Sequence, residues 1–112
     1  MSNLLRIQRF CLAFPASKEV IQFGHPFFKW RDKPFCVYSN DQGEELSIKV
    51  EKESQPIFLQ DPRFKKTPYI GNHGWVTLSL KKPLNWEEIE ELIEGSYHFV
   101  ATSKSKAKKK QK

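Results

Sequence analysis

Residues 45–51, ELSIKVE, decide the fold, because every second position in this stretch is apolar. In an extended chain Leu46, Ile48 and Val50 face one side, and the polar residues between them face the other. Such alternation predicts a strand in a sheet with one buried face and one exposed or lightly covered face. The same period occurs upstream, where turn-forming Gly, Pro, Asn and Asp separate the apolar runs. The predicted strands are 20–23, 27–31, 35–39 and 45–51.

The short connections between these strands predict an antiparallel meander. Downstream, residues 53–60 predict a short helix that Ser54 caps and that has Pro56 in its first turn. A long connection at 61–74 then leads to one more alternating strand at 75–81. In that strand the predicted inward side chains are Val76, Leu78 and Leu80, and the outward ones are Trp75, Thr77 and Ser79.

Helices are predicted at both ends of the chain. Residues 3–14 place apolar side chains at spacings of three and four, and Pro15 ends the run. The last helix begins after Asn85, which has Glu88 three residues later in a capping-box arrangement. Its apolar stripe lies opposite a row of glutamates and consists of Ile89, Leu92, Ile93, Tyr97 and Val100. The predicted fold is therefore a two-layer α+β sandwich, with the N- and C-terminal helices on one face of the sheet.

The charge distribution separates a neutral domain from a basic tail. The 112 residues have room for one domain, predicted at 1–101. The net charge is +6, but six of the 19 basic residues lie in 103–112, and the thirteen others balance 13 acidic residues. Residues 102–112 are predicted to be a solvated, disordered lysine-rich tail, whose charge could still attract phosphate or anionic lipid non-specifically.

Cysteine usage and hydropathy set the expected environment. No segment approaches the roughly 20 apolar residues needed to cross a bilayer, and the N-terminus lacks a secretion signal, so a cytoplasmic protein is expected. Cys11 and Cys36 lie far apart outside any C-x-x-C motif, which predicts buried, reduced thiols, with a single disulfide as the alternative. The scattered histidines do not form a metal-ligand pattern, so no cofactor is expected.

The chain resembles the MmcQ/YjbR family in five short motifs: FGHPxFK at 23–29, KPF at 33–35, LSIK at 46–49, PYIGxHGWV at 68–76 and LIxxSY at 92–97. The resemblance covers residues 3–101 and implies a frataxin-like (CyaY-like) fold. It also implies a DNA-binding role in which β-hairpin wings form the contact surface. Iron handling of the frataxin kind is disfavoured, because residues 2–14 contain no Asp or Glu where frataxins are expected to be acidic.

The 61–74 connection is the first candidate site, because a long connection inside a small domain is often a binding loop. Its cations alternate with aromatic residues, which suits single-stranded nucleic acid, since cations meet phosphates and rings meet bases. The alternative is that Pro68, Tyr69 and Trp75 fix the loop to the sheet edge while the charges are merely solvated. With cations from neighbouring strands, the predicted nucleic-acid-binding residues are Lys29, Arg31, Lys49, Arg63, Lys65, Lys66, Tyr69, His73 and Trp75.

The sequence thus predicts a monomeric nucleic-acid-binding module without catalytic activity, whose partner is DNA or RNA and not a membrane. Two alternatives stay open. One is a protein-interaction module, motivated by the acidic last helix and the basic loop. The other is a small-ligand pocket near His25, Tyr69 and His73, which lie in the family-like motifs. Neither histidine has a Ser or Cys at a recognisable triad spacing, so no catalytic residue is assigned.

Overall fold

The structure, a computed structural model, describes the backbone of residues 2–110 and the side chains of residues 2–102. A 3₁₀ turn at Gly71–His73 accompanies three helices and six strands. The helices are α1 (Asn3–Leu12), α2 (Gln55–Leu59) and α3 (Trp86–Lys110). The strands are β1 (Ser17–Gln22), β2 (His25–Trp30), β3 (Lys33–Ser39), β4 (Glu45–Lys49), β5 (Phe64–Lys66) and β6 (Trp75–Ser79).

All six strands form one antiparallel sheet with the order β1-β2-β3-β4-β6-β5. The predicted meander is confirmed for β1 to β4. The segment 61–74, predicted as a long connecting loop, contains a further strand, β5, which pairs with the outer side of β6. With only three residues, β5 is too short to show a period of two in the sequence.

The core lies between the sheet and the two long helices, as predicted. Phe28, Cys36, Ile48 and Val76 lie side by side in register across four strands and are at most 3 % exposed. Burial of Phe28, Ile48 and Val76 stabilises the fold by about 1.5–3 kcal/mol for each side chain. The helices complete the core with Ile7 and Cys11 from α1 and with Ile89, Ile93, Tyr97 and Val100 from α3.

A bulge between β2 and β3 brings an additional aromatic ring into the core. The register shifts between Phe28 and Lys29, so that β3 has one extra residue. Phe35 and Cys36 are consequently both fully buried, although they are neighbours on a strand. The Phe35 ring lies edge-on to Tyr97 at 5.3 Å, and the Tyr97 hydroxyl donates to the Pro15 carbonyl oxygen at 2.7 Å. These contacts hold α3 against β3 and against the segment that follows α1.

Both cysteines have free, buried thiols, as predicted. Burial raises the pKa of the Cys36 thiol, and neighbouring Cys11 raises it further. Since the thiolate is the reactive form, this environment makes Cys36 a packing residue rather than a nucleophile.

Side-chain caps begin α1 and α3, whereas the cap predicted at Ser54 does not form. Ser2 Oγ accepts from the Leu5 N–H at 3.0 Å, and Asn85 Oδ1 accepts from the Glu88 N–H at 3.1 Å. Ser54 precedes α2 without a side-chain capping bond. The backbone of α3 is helical to Lys110, and the side chains of 103–110 and the whole of 111–112 lie outside the described residues. The disordered tail at 102–112 therefore stays a prediction.

Ser96 on α3 bridges β3 and β4 where their ladder ends. Its Oγ donates to the Phe35 carbonyl oxygen at 2.6 Å and accepts from the Lys49 N–H at 3.0 Å. We expect Ser96→Ala to lower the free energy of unfolding by about 1–3 kcal/mol, because it leaves these interior backbone groups unpaired. Urea denaturation measures the loss. Ser79→Ala is the control, since among the described residues Ser79 makes no side-chain hydrogen bond; equal losses in both variants would contradict the bridging role.

Candidate functional site

The sheet face away from α1 and α3 carries an in-register row of side chains with graded chemistry. The row runs through Phe27, Val37, Ser47, Thr77 and Lys65, on β2, β3, β4, β6 and β5 in turn. We call this face the open face. Along the row the side chains change from apolar to hydroxyl-bearing to cationic, so the two ends of the face suit different parts of a ligand.

Two adjoining cavities lie over the open face. The apolar cavity, about 580 Å³, is enclosed by the β1–β2 hairpin on one side and by the 67–70 segment on the other. The polar cavity, about 540 Å³, extends over β5 and is lined by Arg63, Lys65 and Lys81 among others. The two form one groove across the sheet, because they share the lining residues Ser39, Asp41, Glu45 and Thr77.

A chain of three hydroxyl groups forms the floor of the apolar cavity. Thr77 Oγ1 lies 2.8 Å from Ser47 Oγ and 2.9 Å from Thr67 Oγ1, and all three residues are at most 9 % exposed. Three hydroxyls carry three donor protons, whereas the chain contains two hydrogen bonds. These two bonds therefore use two of the three hydroxyl protons, and all three residues line the cavity.

Two aromatic residues stand at the rim of the same cavity in unfavourable backbone conformations. Phe23 is 87 % exposed with φ +54°, and Tyr69 is fully exposed with φ +68°. Phe23 and Gly24 (φ +78°) form the two-residue turn between β1 and β2, where Asn-Gly is the preferred pair. A bulky residue at positive φ costs about 1–3 kcal/mol. Packing offsets little of that cost, since the Phe23 ring has one aromatic neighbour, Phe27, at 6.2 Å.

Arg63 is occupied by acidic partners instead of being available to phosphate. Its Nη1 and Nη2 donate to the two Glu88 carboxylate oxygens at 2.8 and 2.9 Å, and its Nη2 also donates to Asp61 Oδ2 at 2.8 Å. These bonds lower the pKa of both Glu88 and Asp61. Arg63 thereby ties the segment before β5 to the first turn of α3. The basic loop and the acidic helix partly neutralise each other, which weakens the case for a charge-driven protein interface.

Lys65 and Lys66 point to opposite faces of the sheet because they are neighbours on a strand. Lys65 lies in the groove, and its Nζ is 2.9 Å from Glu45 Oε2 at the junction of the two cavities. The Lys66 stem crosses the backbone near Gly71, where an added Cβ would lie 2.5 Å from Lys66 Cγ. Of this predicted pair, only Lys65 belongs to the groove.

Trp75 is not available to a ligand. The sequence predicts that Trp75 faces outward and contacts nucleic acid, but only 3 % of its surface is exposed. Thr77, on the same side of β6, is 2 % exposed. β6 is an interior strand between β4 and β5, and the 67–70 segment covers Thr77. Sequence alternation could not show this cover, because it comes from a different part of the chain.

The remaining predicted residues do not line the groove, and Lys49 borders a different cavity under α3. Lys49 is half-buried, and its pKa is lowered by burial and by the charges of Lys33 and Lys52. The Arg31 guanidinium lies 4.8 Å from the Trp30 ring centre at the β2–β3 turn. Lys29 is half-buried on the same strand as Phe27.

The histidines do not share one pocket. His25 lines the apolar cavity with Tyr69, and its Nε2 is 3.4 Å from Asp41 Oδ2, on a carboxylate that is 78 % exposed. His73 is exposed in the 3₁₀ turn outside the groove. Gly74 ends that turn at φ +91°, and an added Cβ there would lie 2.5 Å from the Val50 carbonyl oxygen, so the turn has a structural reason for its glycine.

In the part of the chain that the structure describes, no three His, Cys, Asp or Glu side chains are grouped so that they could hold a metal ion. Nor does any helix there have the length and apolar character needed to cross a bilayer.

The residues predicted for the site do not include the floor or most of the rim of the groove. The alternating pattern assigned Phe23 to the first strand rather than to a turn. Ser47, Thr67 and Thr77 are isolated hydroxyl residues in the sequence, and no local pattern marks them as a site. One local signal was present: a Phe-Gly pair between two alternating runs stands where Asn-Gly is usual. The missed residues are Phe23, Phe27, Ser47, Thr67 and Thr77.

Known proteins share this architecture. A crystal structure of a protein from Pseudomonas syringae, a structural genomics target, superposes with a TM-score of 0.71. It is 18 % identical and the match covers 89 % of this chain and 99 % of that one, so the likeness shows a common fold. No curated protein sequence matches the chain. The sequence profile of the family described as YjbR matches residues 12–99. The chain therefore belongs to the YjbR family.

Proposed function

We propose that this protein is a nucleic-acid-binding module without catalytic activity, and that its site is the groove on the open face. The observation that carries the proposal is the pair Phe23 and Tyr69, two exposed aromatic rings held at positive φ on the rim of one cavity. Aromatic rings stack on every base, which makes such rings typical of proteins that bind nucleic acid without strong sequence preference. The DNA-binding role implied by the family resemblance agrees with this site.

Cations at the other end of the groove would meet the phosphates. Lys65 and Lys81 line the polar cavity, and Lys65 would exchange its Glu45 partner for a phosphate. Lys49 borders the cavity under α3 rather than the groove, so it is not part of this site. The glutamate-rich α3 lies on the opposite side of the sheet, where its charge opposes phosphate least.

The test compares two variants with the same loss of charge. We expect Lys65→Gln with Lys81→Gln to weaken binding of a single-stranded oligonucleotide and to reduce the slope of log affinity against log salt by about 0.7 for each lost phosphate contact. Lys66→Gln with Arg9→Gln is the control, because neither residue lines the groove and Arg9 lies on α1. Fluorescence anisotropy over a salt series measures both quantities.

The lysine tail requires its own control. The two double variants should be compared in the intact chain and in a chain whose tail lysines (Lys104, Lys106, Lys108, Lys109, Lys110 and Lys112) are all glutamine. If the difference between the variants persists without tail charge, the groove is the site. If binding disappears with the tail charge, or if both variants lose affinity equally, the groove proposal is wrong.

The apolar cavity supports a second candidate function, a small-ligand pocket next to His25. Its size falls within the range of about 300–1,000 Å³ that is usual for ligand sites. A thermal-shift screen of small molecules against the full chain tests this candidate, since a ligand that binds only the folded state raises the melting temperature. A screen without any stabilising compound would remove its support.

A further inference from the structure

The apolar cavity has the features of a pocket for a single base. We propose that it takes one unstacked nucleobase, whose faces meet the rim aromatic rings and whose polar edge meets the hydroxyl chain of Ser47, Thr77 and Thr67. This inference rests on the proposed function, and it names the part of the nucleic acid that the cavity would bind.

The walls and floor of the cavity match the two kinds of surface that a base presents. The sides of the cavity are apolar and are lined by Phe23, Phe27, Val37, Tyr69 and Ile70. The flat face of a base that leaves water would therefore pack against apolar side chains. The buried polar groups are on the floor at Ser47, Thr67 and Thr77, deep between the β1–β2 hairpin and the 67–70 segment. The other polar lining residues, which are more exposed, are His25, Ser39, Asp41 and Glu45. A base that enters edge-first would therefore bring its hydrogen-bonding groups to the buried hydroxyls of the floor.

The hydroxyl chain would serve different bases equally well. Either oxygen of each pair can donate, so the chain can run from Ser47 to Thr67 or in reverse. If Ser47 donates to Thr77 and Thr77 donates to Thr67, the unused proton is on Thr67 and Ser47 offers a lone pair. In the reverse direction the unused proton is on Ser47 and Thr67 offers the lone pair. A floor that offers either a donor or an acceptor selects for a base as such and not for one base.

The pocket also separates single strands from duplexes. A paired and stacked base cannot reach a floor whose residues are at most 9 % exposed, so a duplex would have to extrude the base at a cost of a few kcal/mol. The adjoining polar cavity, which contains Lys65 and Lys81, lies where the phosphates of an entering nucleotide would follow.

The experiment uses mononucleotides on the full chain, followed by amide NMR. We expect each deoxynucleoside 5′-monophosphate to shift the amides of Thr67 and Thr77 and to bind about 5- to 100-fold more tightly than 2-deoxyribose 5-phosphate, which lacks the base. Ser47→Ala removes one end of the hydroxyl chain and leaves the Thr67–Thr77 bond, so it should weaken the mononucleotide about 2- to 10-fold. The Leu92 amide, beside a different cavity under α3, is the internal reference.

The outcomes separate this inference from the proposed function. Equal affinity for the nucleotide and the sugar phosphate, or shifts that avoid Thr67 and Thr77, would overturn the base pocket. If an oligonucleotide binds with a salt dependence but mononucleotides do not bind, the pocket is wrong and the function stands. If mononucleotides bind at the pocket and an oligonucleotide does not, the pocket stands, its ligand is a free nucleotide, and the proposed function is wrong.

Discussion

A chain that carries both Phe23→Asn and Tyr69→Asn should bind a single-stranded oligonucleotide at least about 30-fold more weakly than the unmodified chain, because each lost stacking platform costs about 1–3 kcal/mol. Fluorescence anisotropy at one fixed salt concentration measures this loss. Both changes leave the formal charge unaltered, so the electrostatic part of binding should stay the same. The slope of log affinity against log salt is therefore expected to be unchanged while the affinity falls at every salt concentration.

The same variant should be at least as stable as the unmodified chain. Asparagine tolerates the left-handed region in which both residues lie, so the change relieves backbone strain of about 1 kcal/mol or more at each position. Tyr69 loses no packing, because it is fully exposed. Phe23 loses its contact with Phe27, which is worth about 0.5–1.5 kcal/mol and is similar in size to the strain it relieves. Urea denaturation should therefore show an unchanged or higher midpoint.

Loss of binding without loss of stability would separate the site from the fold. Ile57→Asn is the matched control: it also replaces an exposed apolar residue, 67 % exposed on α2, but outside the groove. Its oligonucleotide affinity should equal that of the unmodified chain. If the double variant binds as tightly as this control, the rim rings do not stack on bases and the proposed site is wrong.

The parts of the fold that follow from local pattern were predictable, and those that depend on distant segments were not. Alternation located β1 to β4 and β6, and helical spacing with the Asn85 cap located α3. The strand β5 was not predicted, because its extended shape depends on pairing with β6 and not on its own three residues. The ion pairs of Arg63 with Glu88 join segments 25 residues apart, and no local pattern marks them.

The candidate site follows the same division. Tyr69 and Lys65 were predicted from an aromatic and basic segment, which is a local property, and both line the groove. The burial of Trp75 and the hydroxyl chain required knowledge of which strands are neighbours and what covers them. A site on a sheet face is assembled across strands, so single-strand patterns show its residue types without showing which of them meet.

Phe28→Ala and Phe27→Ala should have opposite consequences, although the two residues are neighbours on β2. Phe28 is fully buried against the helices, so its truncation should lower the free energy of unfolding by about 3–5 kcal/mol through lost burial and an unfilled cavity. That is a large part of the roughly 5–15 kcal/mol typical of a small domain. Phe27 lines the groove and is half-buried, so its truncation should cost less stability but weaken oligonucleotide binding about 5- to 100-fold.

The comparison depends on measuring binding by the folded fraction alone. Urea denaturation gives that fraction for each variant, and Phe28→Leu provides a milder version in case Phe28→Ala leaves too little folded protein. Once corrected, the Phe28 variants should retain the affinity of the unmodified chain, because their side chains do not reach the open face. A parallel fall of stability and corrected affinity in both series would mean that β2 acts through its overall integrity, and the division of the sheet into a stabilising face and a binding face would be wrong. Opposite behaviour is expected, since alternate side chains of a strand lie on opposite faces and only the open face borders the groove.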